Sequence, residues 1–351
     1  MKERYEVTIG IPVYKSANYI QDTMTSALNQ SFPDIEFLIV DDCGNDGSID
    51  LIMNIIKKQP RGDNVRIINN GSNKGVSYSR NLIIDEAKGK YLYFLDSDDT
   101  IEPDTIQLLY DAIVGNQAQI AYGSYDIIES VGNTPIERYQ KDAMVMNGKD
   151  ELAMYAFKNN HLFQVTVCNH LVDISFLRQS NVRFIDVSYW EDMAYTVELV
   201  VKVENAVLLP DITYHYFRRP DSLSHYQYRD LYDKTEILLN AFILKYLKDK
   251  CIYLCGKSYL PYLCYYLEMI SYYTVCNIAE KRNKIVPPIT NYEMRTILQH
   301  PMTLKDILLF KERRIANLFF LFIGSMPLCL IIPAVRMIGK IKNNTKYLYN
   351  G

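Results

Sequence analysis

The sequence predicts an α/β fold: a mostly parallel sheet flanked by helices, followed by a helical C-terminal region. Three observations carry this. Short apolar runs alternate with helical stretches of about ten residues through the first 125 positions, the pattern of βαβ units. Two of those runs end in acidic clusters, Asp41-Asp42 and Asp96-Ser97-Asp98-Asp99. From about residue 230 the composition shifts to long helical segments rich in Tyr and Leu.

Each element follows from local pattern. Tyr5 to Ile11 is apolar and β-branched, and Pro12 is expected to end it. Asn18 to Leu28 places Ile20, Met24, Ala27 and Leu28 at helical spacing. Strands are expected at Ile35 to Val40, Val65 to Ile68 and Tyr91 to Leu95, with helices at Ser48 to Ile56 and Val76 to Ala87. Pro103 suits the first turn of a helix running to Val114. Residues 130–150, with Gly132, Pro135 and Gly148, read as a polar connection. Further on, Trp190-Glu191-Asp192 opens a helix and Ile212 to Phe217 is a strand. The division expected is 1–228, itself split near residue 125, and 229–351.

Bulk chemistry narrows the function. A net charge of -3 gives no global basic field, so nucleic acid is not expected as a partner. Seven scattered cysteines with no CxxC pair predict neither a disulfide framework nor a zinc site, and read as reduced thiols in a cytosolic interior. No signal peptide is visible, so the catalytic part is expected in the cytoplasm. The glycine motifs of dinucleotide and P-loop sites, and the GxSxG and HExxH motifs of hydrolases, do not occur.

The acidic strand ends are where chemistry is expected, because parallel sheets bind ligands at the carboxyl ends of their strands. Three carboxylates in four residues at 96–99 repel one another, a cost that a hard cation such as Mg²⁺ or Mn²⁺ relieves. Such an ion neutralises a diphosphate as it leaves. The alternative is a solvated acidic loop capping the next helix. Asp41-Asp42 can accept hydrogen bonds from a ribose or a base, or simply build a turn with Gly44 to Gly47. Arg80 can pair with phosphate, stack on a base, or form a surface ion pair. Glu191-Asp192 follows Tyr189-Trp190. Aromatic surface desolvates a carboxylate and suits it to general-base work, whereas helix N-terminal charge is the competing reading. In the segment from Tyr214 to His225, Arg218 or Arg219 can grip a diphosphate. His215 and His225 can reach a metal or be structural.

Taken in order, these residues resemble family 2 glycosyltransferases. The signs are Val7 to Tyr14, Ser26 to Phe32, Ile39-Val40-Asp41-Asp42 with Asp46-Gly47-Ser48, and Asn73 to Asn81. They continue with Gly89 to Asp99, Glu191-Asp192, and Arg218-Arg219 with Ser222 and Ser224. The resemblance spans residues 5–228. It implies the A-type glycosyltransferase fold, with 1–125 binding a nucleotide-sugar donor, most simply a uridine diphosphate sugar, and 126–228 facing the acceptor. It implies that Pro12, Tyr14 and Asp42 border base and ribose, that Arg80 and Asp98 contact the nucleotide, and that Asp98 and Asp99 hold Mn²⁺ or Mg²⁺. Asp192 is then the base of an inverting, single-displacement transfer, with Glu191, Arg218, Arg219 and Ser222 as diphosphate or acceptor contacts. Lys15, Cys43-Gly44, Ser79 and Asn169-His170 depart from the family's usual residues. A sugar nucleotidyltransferase or a non-catalytic sugar- or nucleotide-binding module are the rival readings. The first lacks a basic Gly-rich loop, and the second is opposed by intact Asp98, Asp99 and Asp192.

The C-terminal region adds a location. Ile315 to Val335 is 21 residues without a charge, interrupted by Pro327 and Pro333 and flanked by basic residues on both sides. Segment 311–346 is therefore expected to lie in the cytoplasmic leaflet of a membrane, the alternative being a core helix against residues 240–276. A lipid-linked saccharide acceptor at that face, serving cell-surface polysaccharide synthesis, follows from this placement.

Overall fold

The computed structural model describes residues 4–129, 134–158, 167–187, 190–219, 231–331 and 333. The chain forms two compact units, one of Met1–Leu152 with Val165–Ser222, the other of Ala153–Gln164 with Leu223–Gly351.

The first unit begins as expected. Strands β1 (Tyr5–Val13), β2 (Ile35–Asp41), β3 (Val65–Asn69) and β4 (Gly89–Phe94) alternate with helices α1 (Ile20–Leu28), α2 (Ser48–Ile56) and α3 (Val76–Glu86). Their order, β3-β2-β1-β4, is wholly parallel. Burial of every residue of β2 accounts for its apolar run Phe37 to Val40, with Glu36 the buried exception near its start. Strand order reverses between β1 and β4, the switch point where α/β sheets open a ligand crevice.

Pro12 does not end β1. It pairs with Val40 inside the strand. Pairing with β4 stops at Gly10 and Phe94, so the missing N–H falls on the edge where no ladder bond is required. Pro103 also lies outside its expected helix. Strand β5 (Thr100–Ile101) is followed by a turn in which the Thr105 N–H reaches the Glu102 carbonyl at 3.1 Å, and α4 (Thr105–Gly115) starts only after it. Proline's fixed φ suits the second position of such a turn.

Beyond α4 the sheet changes character. The long strand β6 (Ile120–Glu129) is followed by β7 (Thr134–Tyr139) and β8 (Met144–Asn147), where a polar connection was expected. β7 is largely exposed and the four-residue β8 buries only Met146, so neither carries a readable apolar pattern; their registers come from antiparallel pairing, β7 on β6 and β8 on the later β10. After α5 (Glu151–Lys158), strand β9 (His170–Asp173) lies antiparallel between β4 and β6. Helices α6 (Ile174–Gln179) and α7 (Glu191–Val200) precede β10 (Asn205–Arg218), which is longer than the expected Ile212–Phe217 and carries register shifts between Leu208 and Tyr214. The parallel expectation thus holds for the first four strands, while the full sheet is mixed. The end of β10 pairs antiparallel with β5, Tyr214 opposite Ile101 and His215 opposite Thr100. This delivers Tyr214 to Arg219 to the loop that follows β4.

The second unit is mainly helical: α8 (Lys234–Lys250), α9 (Leu260–Lys281), α10 (Asn291–Ile297), α11 (Leu304–Leu309) and α12 (Arg314–Gly324), with a short parallel pair β11 (Tyr232–Asp233) and β12 (Ile285–Val286). Capping boxes, Thr290 with Glu293 and Thr303 with Asp306, start α10 and α11. Helix α9 is buried around most of its circumference and is the core of this unit. The uncharged stretch from Ile315 supplies α12, whose Phe320 packs on Tyr272 and whose Asn317 donates to the Pro261 carbonyl at 3.0 Å. Among the described residues, no helix is long and apolar enough to cross a membrane. None of the seven cysteines forms a disulfide; four are buried, while Cys255 and Cys329 are exposed and Cys43 is intermediate.

Candidate active site

Three loops meet at the switch point. After β1, Tyr14 is 43% exposed and Lys15 turns the chain with φ 51°. The Ser16 N–H donates to the Ser48 hydroxyl at 3.0 Å, and the Ser16 and Ser97 hydroxyls lie 2.5 Å apart. Asp46 accepts from the Ala17 N–H at 2.8 Å and from the Ser48 hydroxyl at 2.6 Å. These bonds tie the ends of β1, β2 and β4 into one rigid rim.

Asp42 is buried and well satisfied. Its carboxylate accepts from the Asn70 amide at 2.8 Å, the Lys74 N–H at 2.7 Å and the Gly75 N–H at 2.9 Å. It therefore shapes the 70–75 loop, and a ribose hydroxyl would have to share it. Gly75 has φ 87°, a conformation that glycine adopts freely.

The loop after β4 concentrates charge. Asp99 is buried and accepts from the Tyr214 hydroxyl at 2.6 Å and the Phe217 N–H at 2.8 Å. Burial, then the charges of Asp98 and Asp96, push its pKa well up against those two donors. Asp98 is raised by burial and by Asp96, against Arg219. The Arg219 guanidinium meets the Asp98 carboxylate at 2.5 Å, donates also to the Asp98 carbonyl, and lies 3.9 Å from the Tyr19 ring centroid. Arg218 ends β10, opposite Glu129. Ser222, Ser224 and His225 lie outside the described residues. His215 bonds Glu102 at 2.8 Å.

Helix α3 brings in the second acidic pair. Asn81 exchanges two hydrogen bonds with the Phe184 backbone, and Ser77 donates to the Val187 carbonyl. This anchors the segment leading to α7, where Trp190, with φ 63°, caps the helix and Glu191-Asp192 form its first turn. Buried Arg80 bridges the two acidic groups, 2.9 Å to Asp96 and 2.9 Å to Glu191. Burial works against its charge, but Asp96 and Glu191 outweigh that and raise its pKa. Its guanidinium is engaged by two carboxylates. Asp192 is pushed up to about 7 by burial and by Glu191, against Arg80. A carboxylate so poised can take a proton near neutral pH.

Five carboxylates, Asp96, Asp98, Asp99, Glu191 and Asp192, thus surround two guanidinium groups, Arg80 and Arg219, an excess of three acids over bases. Among the described residues no group of three or more His, Cys, Asp or Glu is arranged to hold a metal by itself. The donor set nevertheless fits a hard cation of the kind that takes one or two carboxylates and completes its shell from substrate phosphates and water.

The sequence profile of glycosyl transferase family 2 matches residues 8–180, which include all three rim loops. Residues 8–180 belong to glycosyl transferase family 2. An uncharacterized glycosyltransferase of Haemophilus influenzae is 29% identical over 202 residues, covering 58% of this chain and 74% of the relative. A poly(ribitol-phosphate) beta-glucosyltransferase of Bacillus spizizenii is 27% identical over 67% of this chain but only 36% of its own length. In fold, S. aureus TarS 1-349, solved in complex with UDP-GlcNAc, superposes with a TM-score of 0.65 at 15% identity, covering 95% of this chain and 92% of that one. The fold is the A-type glycosyltransferase fold with a helical C-terminal region.

In this unit the sequence singles out the carboxylates but not the groups that hold them. Tyr214 and the Phe217 N–H on Asp99, Tyr19 beneath Arg219, and the Ser16–Ser97 contact were all missed. The aromatic and basic segment from Tyr214 was visible as a motif; its attachment to the 96–99 loop was not.

Proposed function

We propose that the chain is an inverting glycosyltransferase. It moves a sugar from a nucleoside diphosphate, uridine diphosphate being the simplest choice, to a saccharide hydroxyl during cell-surface polysaccharide synthesis. The observation that carries this is Asp192, held near neutrality at the start of α7 and joined through Glu191 and Arg80 to the 96–99 loop. TarS was solved with a uridine diphosphate sugar, and the Bacillus spizizenii relative is named for glucosyl transfer to poly(ribitol-phosphate). Both support the donor and acceptor classes. The basic, apolar C-terminal segment supports a lipid-linked acceptor at the cytoplasmic face of the membrane.

In this reading Tyr14 and Pro12 border the base, and Asp42 supports the ribose side through the 70–75 loop. Asp98 and Asp99 hold the metal, which when bound would neutralise charge on the departing diphosphate. Arg218 and Arg219 would face the same charge, Arg219 exchanging Asp98 for phosphate. Asp192 accepts the acceptor's hydroxyl proton as its oxygen bonds to the anomeric carbon. The bond from that carbon to the diphosphate oxygen breaks on the opposite face, so no enzyme nucleophile is required.

The first test is calorimetric titration with uridine diphosphate, with Mn²⁺ and with excess chelator, beside Asp99→Asn. We expect binding that needs metal and is lost in the variant. Absence of binding to uridine, guanosine and cytidine diphosphates alike would overturn the donor assignment and favour a non-catalytic module.

A further inference from the structure

We propose that the exposed face of α11 and α12 is a docking surface for an anionic lipid bilayer, a partner that rests on the membrane location in the reading above but uses a surface of the helical unit. Helix α12 is only 11 residues long and is two-sided. Asn317, Phe320 and Ile323 are buried, whereas Ile315 is 85% exposed, Phe319 38% and Phe322 64%. The exposed three are spaced four and then three apart, so they form one stripe along the helix. Leu304, Leu308 and Leu309 of α11 are also more than half exposed. The Arg314 guanidinium donates to the carbonyls of Leu308 and Phe310, which seats the end of α11 beside the start of α12. The end of α11, with Leu308 and Leu309, and the start of α12, with Ile315, are thus tied together through the backbone.

Six large apolar side chains on two short helices are more than scattered surface hydrophobes. Charge selects the occupant. Lys305, Lys311 and Arg313 are exposed around the apolar stripe, with Glu312 and Asp306 the acids among them. Arg313 is held 4.4 Å from the Tyr265 ring centroid. Arg336, Lys340, Lys342 and Lys346 follow in sequence without an intervening acid. Apolar side chains bordered by cations and Tyr rings suit the boundary between acyl chains and anionic headgroups, whereas a protein partner would not require this surplus of cations. The arrangement lies on a membrane; a helix of this length does not span one.

The test is flotation of the full-length protein with phosphatidylglycerol-containing vesicles, against pure phosphatidylcholine vesicles and against Ile315→Glu/Phe322→Glu. We expect binding to the anionic vesicles, weakened by salt, and a loss of at least tenfold in the double variant. Met53→Glu, exposed in the other unit, should bind vesicles as the unaltered protein does. Uridine diphosphate titration of the double variant reports separately on folding and on the donor reading, so failure of one is distinguishable from failure of the other. Equal binding by the double variant, or no preference for anionic vesicles, would overturn the proposal. So would a sedimentation shift from oligomer to monomer in the double variant, which would assign this face to a second copy of the chain.

Discussion

In the helical unit, buried Lys248 and Glu268 meet at 2.7 Å, and the same ammonium donates to the carbonyls of Ile297 and Gln299. In the first unit, Arg80 and Arg219 face five carboxylates. The first grouping is balanced, one acid to one base, and fixes α8 against α9 and the end of α10. The second carries surplus negative charge at a sheet switch point. A buried balanced pair costs desolvation but asks for nothing further. Burial raises a carboxylate in both groupings, but in the surplus the neighbouring acids raise it further, a cost that a cation or a proton-transfer role explains. The two groupings differ in balance: one Lys meets one Glu in the first, whereas two Arg face four Asp and one Glu in the second.

The largest effect is expected from Asp192→Asn. It should lower kcat by about 10²–10⁴-fold, the range for a positioned base, while metal-dependent uridine diphosphate binding stays intact. Equal loss of binding and turnover would move Asp192 from proton transfer to architecture. Next comes Lys248→Met, which strands a buried carboxylate and should cost about 3–5 kcal/mol in denaturant unfolding. Lys248→Met/Glu268→Leu should recover most of that. If the double variant is as unstable as the single, the pair is not the closed unit described.

Opposite pH slopes should follow. Burial pushes Glu268 up to about 7, against Lys248, so the folded state favours its protonated form. Its contribution to stability is full below the ordinary Glu value of 4.5 and is lost as pH rises through about 7. Thermal melts from pH 5 to 8 should therefore flatten in Glu268→Gln. Transfer should run the other way, rising through about pH 7 as Asp192 ionises. A pH-independent kcat across that range would count against the base assignment. The smallest effect is Tyr214→Phe, which removes one hydrogen bond from Asp99. About 1 kcal/mol, or roughly fivefold in Mn²⁺-dependent nucleotide affinity, is expected by titration.

Much of this was legible in the sequence, and the reason is locality. The runs that became β1 to β4 and α1 to α3 depend on neighbours within a few residues, so their periodicity survives in one dimension. The carboxylates at 41–42, 96–99 and 191–192 were likewise visible, because strand ends and helix starts are local features. Strands β7 and β8 were not legible: they are short, little-buried edge strands whose register is imposed by β6 and β10. Pro12 was misplaced for a related reason, since whether a missing N–H matters depends on which neighbour strand reaches that far.

The sequence by itself determined the alternating α/β half, the acidic strand ends and the uncharged C-terminal stretch. Only the tertiary structure decided which charges meet. Arg80 and Glu191 are 111 positions apart, and Asp99 and Tyr214 are 115 apart. Sheet order, rather than spacing along the chain, brings each pair within hydrogen-bond reach, because β10 returns to β5 and α3 grips the segment before α7. The same holds for the C-terminal stretch. Its apolar composition is written in the sequence, but packing on α9 decides which stripe of α12 is covered and which faces outward.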